Sequence, residues 1–165
     1  MAFRGELDTI HLVTDLYDFD RANAKLPEVR EILLRLRDQR DEIVAVRDRI
    51  VELNAPLLAG GASGAGASGA GASGAAGESR FEADEETQRL RMKMQGLVDQ
   101  MQAGAIKLDG WGIQLREIAT GLVDFPAMVA GRPVWLCWRL GEERVAWWHE
   151  TTEGFEARRR IEDLV

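Results

Sequence analysis

Four of the five tryptophans of this 165-residue chain lie in one short segment, between Trp135 and Trp148. The segment has two arms rich in β-branched and aromatic residues, 134–140 and 144–150, with Gly141 between them. This pattern predicts a β-hairpin. The tryptophans do not sort onto one side of the hairpin, so both of its faces are apolar. Both must therefore be covered by the chain's own helices, by another subunit or by a ligand.

A two-residue turn at Gly141-Glu142, with glycine leading as in a type II′ turn, would set the register of this hairpin. The face expected to pack on helices would then carry Val134, Leu136, Trp138, Val145, Trp147 and His149. The opposite face would carry Trp135 across from Trp148, Cys137 across from Ala146, and Arg139 across from Arg144. Three coverings are open for this opposite face: another segment of the chain, a second copy in a homodimer, or a small-molecule ligand.

Apolar residues that recur every three or four positions predict two long helices. The first pattern begins near Pro27, a residue suited to the first helical turn, and ends at Leu53, ahead of Pro56. The second pattern runs from Ser79 to Ala103. Helices of about 40 and 38 Å match in length, which predicts an antiparallel helical hairpin with a coiled-coil-like seam. The predicted seam positions are Val29, Ile32, Leu36, Gln39, Ile43, Val46, Ile50, Leu53, Ala83, Thr87, Leu90, Met94, Leu97 and Met101.

Between the two helical patterns lies a low-complexity stretch, residues 59–77, which repeats the unit GASGA from Gly61 to Ala75. Gly, Ala and Ser lack the apolar side chains that would offset the entropy cost of ordering. A tight helix–helix connection needs only about 2–8 residues. We therefore predict a single domain over 1–165 with a flexible insert at the tip of its helical hairpin.

Shorter elements complete the predicted fold. Asp18 is a suitable N-cap for a short helical element, Phe19 to Leu26, and the run Thr9 to Tyr17 is compatible with a short strand. Partial alternation from Ile113 to Ile118 predicts another strand. Helices followed by a run of strands predict the α+β class, with the long antiparallel helical hairpin packed on a small antiparallel β-sheet.

Composition excludes several classes of function. The net charge of -7 and a pI near 5.0 argue against nucleic-acid binding, which needs a clustered basic face. The lone cysteine, Cys137, rules out an internal disulfide, as expected of a cytoplasmic protein. We expect no membrane association, because the sequence lacks both a signal peptide and an apolar run of about 18 residues.

Several short motifs in the sequence resemble those of an uncharacterised bacterial family, the domain of unknown function 2203. The N-terminal motif is Ala22-Asn-Ala-Lys-Leu-Pro27. The C-terminal motifs are Leu122-Val-Asp-Phe-Pro126, Val134-Trp-Leu-Cys-Trp138, Gly141-Glu142, Trp148-His149-Glu150 and Gly154-Phe155, with Arg158 beyond them. The similarity covers both ends and the helical core and leaves out the Gly/Ala/Ser insert. The resemblance supports the fold boundaries and implies no activity.

His149 is the most reactive residue type in the hairpin. It can be a base, a ligand or a hydrogen-bonded structural histidine, and Asp124 and Arg158 are candidates to join it in an acid–base or anion-binding cluster. Asp124 can equally be a turn-forming side chain. With two histidines and one cysteine at no paired spacing, the sequence predicts no metal site. Cys137 is interpreted as a small buried hydrophobe.

The first function predicted is a non-catalytic module for self-association, as a homodimer, or for binding another protein. The alternative is a small-ligand-binding or hydrolytic domain that uses His149 with Asp124 and Arg158. No catalytic residue and no cofactor is assigned. The candidate binding residues are Asp124, Trp135, Trp138, Trp148, His149 and Arg158.

Replacing residues 60–77 by a short turn is expected to leave the midpoint of thermal unfolding nearly unchanged, because loop-closure entropy changes slowly with loop length. Thermal unfolding of the two chains, followed by circular dichroism, measures this. A large loss of stability would mean that the insert packs on the rest of the protein, contrary to its composition.

Overall fold

The structure of the protein, a computed structural model, describes residues 16–60 and 73–164. The chain divides into two compact units. The described part of the first comprises residues 16–37 and 103–164, and that of the second comprises 38–60 and 73–102. The prediction of one domain over 1–165 stays a prediction.

Two long helices, α1 (Phe19–Gly60) and α2 (Ser73–Gly110), run antiparallel, which confirms the helical hairpin. In the second unit, Arg49 bonds to Glu86 at 3.0 Å. In the first unit, Gly104 lies against the side chain of Leu36. All fourteen predicted seam positions are buried or half-buried. The apolar periodicity therefore identified the contact faces correctly, while the coiled-coil character of the seam stays a prediction.

Both helices are longer than the sequence predicts. The short element Phe19–Leu26 is not separate but forms the start of α1, and Asp18 caps it as expected, accepting a bond from the Arg21 backbone N–H at 2.8 Å. α1 continues through Pro27 and Pro56, where the sequence predicted boundaries. A proline inside a helix costs about 3 kcal/mol. At Pro27 the buried side chains of the flanking turns offset that cost; these are Ala22, Leu26, Val29 and Leu33.

The predicted insert, 59–77, overlaps both helices, since α1 extends to Gly60 and α2 begins at Ser73. Residues 61–72 lie outside the described residues, and the flexibility of the insert stays a prediction. No helix in the described ranges is both long and apolar enough to cross a membrane.

The first unit contains a five-stranded antiparallel sheet whose strands are ordered as they occur in the chain. Its strands are β1 (Gln114–Glu117), β2 (Leu122–Val129), β3 (Arg132–Arg139), β4 (Trp147–Glu150) and β5 (Arg159–Arg160). Two 3₁₀ turns, Phe155–Ala157 and Ile161–Leu164, flank β5. The α+β class is confirmed, and the strand predicted over Ile113–Ile118 is β1. The strand predicted over Thr9–Tyr17 lies outside the described residues except for its end, where Tyr17 bridges to Ala127 in parallel.

A tight turn at Ala130-Gly131 fixes the register of β2 against β3. Both residues have positive φ, 50° and 78°, as a type I′ turn requires. The resulting register pairs Asp124 with Cys137.

The predicted register of β3 against β4 is wrong by one residue. The observed pairs are Trp135 with His149 and Cys137 with Trp147, and not Trp135 with Trp148. The connection is not a two-residue turn, because residues 141–146 form a loop tied down outside the sheet ladder. Within that loop, the Glu142 carbonyl accepts a bond from the Trp138 indole, and the Val145 N–H donates to Oδ1 of Asn23 in α1. A one-residue slip moves every side chain of β4 to the opposite face.

The sheet has a helix-side face and a second face. The helix-side face carries Val123, Phe125, Ala127, Val134, Leu136, Trp138 and Trp148, all buried. Arg30 of α1 stacks on the Trp138 ring at 5.5 Å, which places the helix on this side. The second face carries Asp124, Pro126, Trp135, Cys137, Trp147 and His149.

Substituting Gly121 by Ala is expected to destabilise the first unit by about 2–5 kcal/mol. The residue has φ +65°, and a Cβ there would lie 2.3 Å from Cδ1 of Leu140. The positive φ costs about 1–2 kcal/mol, and overpacking adds roughly 1–3 kcal/mol. Urea unfolding measures the loss. The matched control is Gly131→Ala, which has φ +78° and open space around its Cβ. It should carry the backbone cost alone, and equal losses at the two glycines would contradict the packing argument.

Candidate functional site

Three polar side chains meet in the middle of the second face, one from each of the three central strands. Asp124 of β2 pairs directly with Cys137 of β3, and His149 of β4 lies on the same face beside them. One ligand-type atom from each residue lies within 4.8 Å of the others. The three side chains are only 2%, 0% and 1% exposed. Burial of such groups is costly unless their hydrogen bonds are satisfied, so the bonding of this Asp–Cys–His cluster is informative.

The hydrogen bonds of the cluster leave one acceptor unfilled. Nδ1 of His149 lies 2.7 Å from the backbone oxygen of Glu150, and its Nε2 lies 3.3 Å from Oδ2 of Asp124. Arg116 of β1 donates from Nε to the same Oδ2 at 2.6 Å. Among the described residues, nothing donates a hydrogen bond to the buried Oδ1 of Asp124. Arg116 thus holds the carboxylate through Oδ2, and the neighbouring Cys137 thiol is the other side chain that interacts with it.

Burial raises the pKa of the Cys137 thiol far above its ordinary value, and the adjacent Asp124 carboxylate raises it further. The charges of Arg158 and Arg116 oppose this shift and are weaker. A neutral, covered thiol is a poor nucleophile. The sequence interpretation of Cys137 as a small buried residue therefore holds, although its neighbours are polar.

A ladder of alternating cations and rings borders the cluster. It consists of Arg139, Phe155, Arg158, Trp147 and Arg160. Arg158 lies 4.2 Å from the Phe155 ring centroid and 4.6 Å from that of Trp147. Arg139 adds a contact to Phe155 at 5.9 Å, and Arg160 adds one to Trp147 at 4.9 Å. The C-terminal segment thus covers this edge of the second face, one of the three coverings that the sequence left open.

Only the middle cation of the ladder has a carboxylate partner. Arg158 bonds to Glu142 at 2.8 Å, and both side chains are about four-fifths covered. Within the described ranges, Arg139 and Arg160 form no ion pair. The indole N–H of the half-buried Trp147 donates to no acceptor among the described residues, whereas the indole of Trp148 donates to the Arg160 carbonyl. The ladder therefore presents donors that the described protein does not use.

The structure separates the six candidate residues into three places. Asp124 and His149 lie together in the cluster. Trp135 and Arg158 flank it on the same face, Trp135 under the guanidinium of Arg116 and Arg158 in the ladder. Trp138 and Trp148 lie on the helix-side face. Arg158 bonds to Glu142 and not to Asp124 or His149, and the partner of Asp124 is Arg116 instead.

Trp135 and Trp148 do not form the shared apolar surface that the sequence predicted. They lie on opposite faces, and Trp148 is only 3% exposed, covered in part by Arg159 at 5.0 Å. The register error accounts for this correction. Self-association itself is not tested by a single chain and stays a prediction.

Sequence reasoning missed Arg116, Trp147 and Arg160 as parts of this face. The register error assigned Trp147 to the helix-side face, whereas Arg139 was placed on the face of Trp135 and Cys137, where the structure has it. One signal was available: the type I′ turn at Ala130-Gly131 brings Asp124 across from Cys137. No sequence signal identifies Arg116, because the strand pairing shifts between Leu115 and Glu117.

The fold and site thus define a class of protein in which a helical hairpin joins an antiparallel meander with a buried Asp–Cys–His cluster on its second face. A family model described as an uncharacterized conserved protein, DUF2203, matches residues 15–161. The chain belongs to this family, as its sequence motifs indicated. No curated protein and no solved structure matches the chain with significance.

Cys137 is expected to resist labelling in the native protein. It is fully covered, and burial raises its pKa, so a thiol reagent must wait for the protein to open. With a chelator present, labelling by a chromogenic disulfide reagent should be about 10³-fold or more slower in buffer than in guanidinium chloride. Since the chain has one cysteine, the signal reports this residue alone. Rapid native labelling would contradict the burial of the cluster.

Proposed function

We propose that this protein binds a small oxyanion-bearing molecule, a phosphate or carboxylate compound, at the arginine–aromatic ladder on the second face of its sheet. The observation that carries the proposal is the pair of stacked guanidiniums, Arg139 and Arg160, which have no carboxylate partner among the described residues.

Stacking leaves these guanidiniums able to bind. Where a guanidinium lies over an aromatic ring, its five N–H donors stay available in the guanidinium plane. A guanidinium held in place by a ring has lost part of its rotamer freedom before a ligand arrives, so less entropy is lost on binding. Paired N–H donors match the two oxygens of a carboxylate or phosphate. The indole N–H of Trp147, which has no acceptor among the described residues, is one more possible donor in the ladder.

The charge distribution favours a small anion over a polyanion. The whole chain carries a net charge of -7, so its long-range field repels nucleic acid. Three arginines with one acidic partner, Glu142, are an exception to that balance at short range. A compound with one or two negative charges is attracted by the nearby arginines, and the net negative charge of the whole chain repels it only weakly.

The proposal assigns no catalysis. His149 and Asp124, the residues of the hydrolytic alternative, are covered and cannot touch a ligand seated on the ladder. Arg158 holds the ladder together through Glu142 and two rings, so it positions its neighbours. The self-association module, predicted first from the sequence, loses the Trp135–Trp148 surface that motivated it, and it stays a prediction together with a cytoplasmic location.

Inorganic phosphate, added at constant ionic strength, should shift the indole N–H resonance of Trp147 along a saturable curve. The indole signals of Trp138 and Trp148 should stay in place, because both already donate to backbone oxygens. Two-dimensional NMR of the full chain, treated with a chelator, measures both. Replacing Arg139 or Arg160 by Gln should weaken phosphate roughly 10- to 100-fold, since each removes a charge-assisted hydrogen bond worth about 1.5–3 kcal/mol.

The matched control is Arg132→Gln. It makes the same change of charge on the helix-side face, where Arg132 pairs with Glu150 at 3.2 Å. Its phosphate affinity should equal that of the wild type. Shifts that grow linearly with phosphate, or an equal loss in the control, would mean that phosphate senses only the overall charge and would overturn the proposal.

A further inference from the structure

We propose that Asp124, Cys137 and His149 form a binding site for one transition-metal ion of the zinc type. The ligand atoms are a carboxylate oxygen of Asp124, Sγ of Cys137 and Nε2 of His149. The site rests on the Asp–Cys–His cluster alone and does not depend on oxyanion binding at the ladder.

The first argument is the tautomer of His149. The backbone oxygen of Glu150 can only accept a hydrogen bond, so Nδ1, at 2.7 Å from it, must carry a proton. A neutral imidazole then has a lone pair on Nε2. That lone pair lies 3.3 Å from Oδ2 of Asp124, a carboxylate oxygen that also accepts hydrogen bonds. Two acceptors face each other inside the protein only if a proton or a cation lies between them.

The second argument is the unfilled oxygen of Asp124. Oδ1 is buried and receives no hydrogen bond among the described residues, while Arg116 satisfies Oδ2. An unpaired buried acceptor costs about 1–3 kcal/mol. A metal ion bound by this oxygen and by Nε2 of His149 would remove both unfavourable features at once.

The third argument is the geometry. One carboxylate oxygen of Asp124, Sγ of Cys137 and one ring nitrogen of His149 lie within 4.8 Å of one another. Zinc bonds of about 2.0–2.3 Å set ligand atoms roughly 3.4–3.8 Å apart in a tetrahedron. The ligand atoms therefore need to approach one another by at most about 1.4 Å. Side chains that bind a metal ion are usually oriented by hydrogen bonds to neighbouring groups. Here the Glu150 carbonyl accepts a hydrogen bond from the imidazole, and Arg116 donates one to the carboxylate.

The donor set selects the metal. A thiolate with an imidazole and one carboxylate suits zinc and its neighbours, whereas magnesium and calcium prefer oxygen alone. With Cys137 and Asp124 both ionised, a divalent ion leaves the three-ligand site neutral. The nearby charge of Arg116 is moderated by solvent, since its side chain is 41% exposed. No short-spacing motif announces the site, because each ligand comes from a different strand.

The test uses the full chain, stripped with a chelator and titrated with Co²⁺ and then Zn²⁺. We expect one equivalent of Co²⁺ to bind with a thiolate-to-cobalt charge-transfer band in the near ultraviolet, and one equivalent of Zn²⁺ to displace it. Since the chain has a single cysteine, that band assigns the metal to Cys137. Failure to bind, or binding without the band, would overturn the proposal even if no variant folds.

Variants extend the test to the other ligands. Cys137→Ser should abolish the charge-transfer band, and His149→Ala should weaken Co²⁺ by more than the roughly 10- to 100-fold that loss of an outer partner costs. The matched control is His11→Ala, which removes the other histidine of the chain. It should bind Co²⁺ like the wild type, and an equal loss in this control would contradict His149 as the ligand. Circular dichroism identifies any variant that is unfolded.

Discussion

The structure depends on the register of three neighbouring strands, β2, β3 and β4. The turn at Ala130-Gly131 sets the first pairing, and the loop over 141–146 sets the second. Together they bring a carboxylate, a thiol and an imidazole to one point of one face. A shift of the β3–β4 register by one residue would move His149 to the helix-side face and separate it from Asp124 and Cys137. The bonds that fix this loop, from Trp138 and to Asn23, are therefore as important to the site as its own side chains.

The polar cluster is an unfavourable choice for stability alone. Three apolar residues at Asp124, Cys137 and His149 would fill the same sheet interior without desolvating a charge, and such replacements in other proteins are often neutral or stabilising. The remainder of the sheet interior follows that apolar rule, as Phe125, Leu136 and Trp138 show. Local departures from consistent burial are expected where a function requires them. That contrast, more than any single distance, directs attention to the second face.

Much of the fold could be predicted from the sequence, because periodicity reports which side chains are buried. It predicted the helical hairpin and the buried positions of its helices. Asp18 was recognised as an N-cap, but the residues after it were assigned to a separate short element and the long helix was started near Pro27. The site could be predicted only in part. Asp124 and His149 were named together, but the side of the sheet on which His149 lies depends on the length of one loop. That length is decided by long-range bonds, such as Val145 to Asn23, that local sequence does not encode. For the same reason Arg116 could not be foreseen as the partner of Asp124.

The two proposed sites adjoin, so a charge bound at one would act on the other. Cys137 pairs directly with Trp147 of the ladder, and the charge of Arg158 already acts on its thiol. A divalent ion at the cluster would displace the proton of the Cys137 thiol. It would also displace any proton held between His149 and Asp124, or relieve the repulsion between them if there is none. If one proton leaves, the net charge of the cluster beneath the ladder rises by one. If two protons leave, the net charge does not change. Any gain in oxyanion affinity from the metal must be matched by an equal gain in metal affinity from the oxyanion, because linkage is reciprocal. If both proposals hold, the metal ion would lie beneath the face that binds the anion. The buried imidazole and carboxylate would then hold the ion, and the guanidiniums of the ladder would bind the anion.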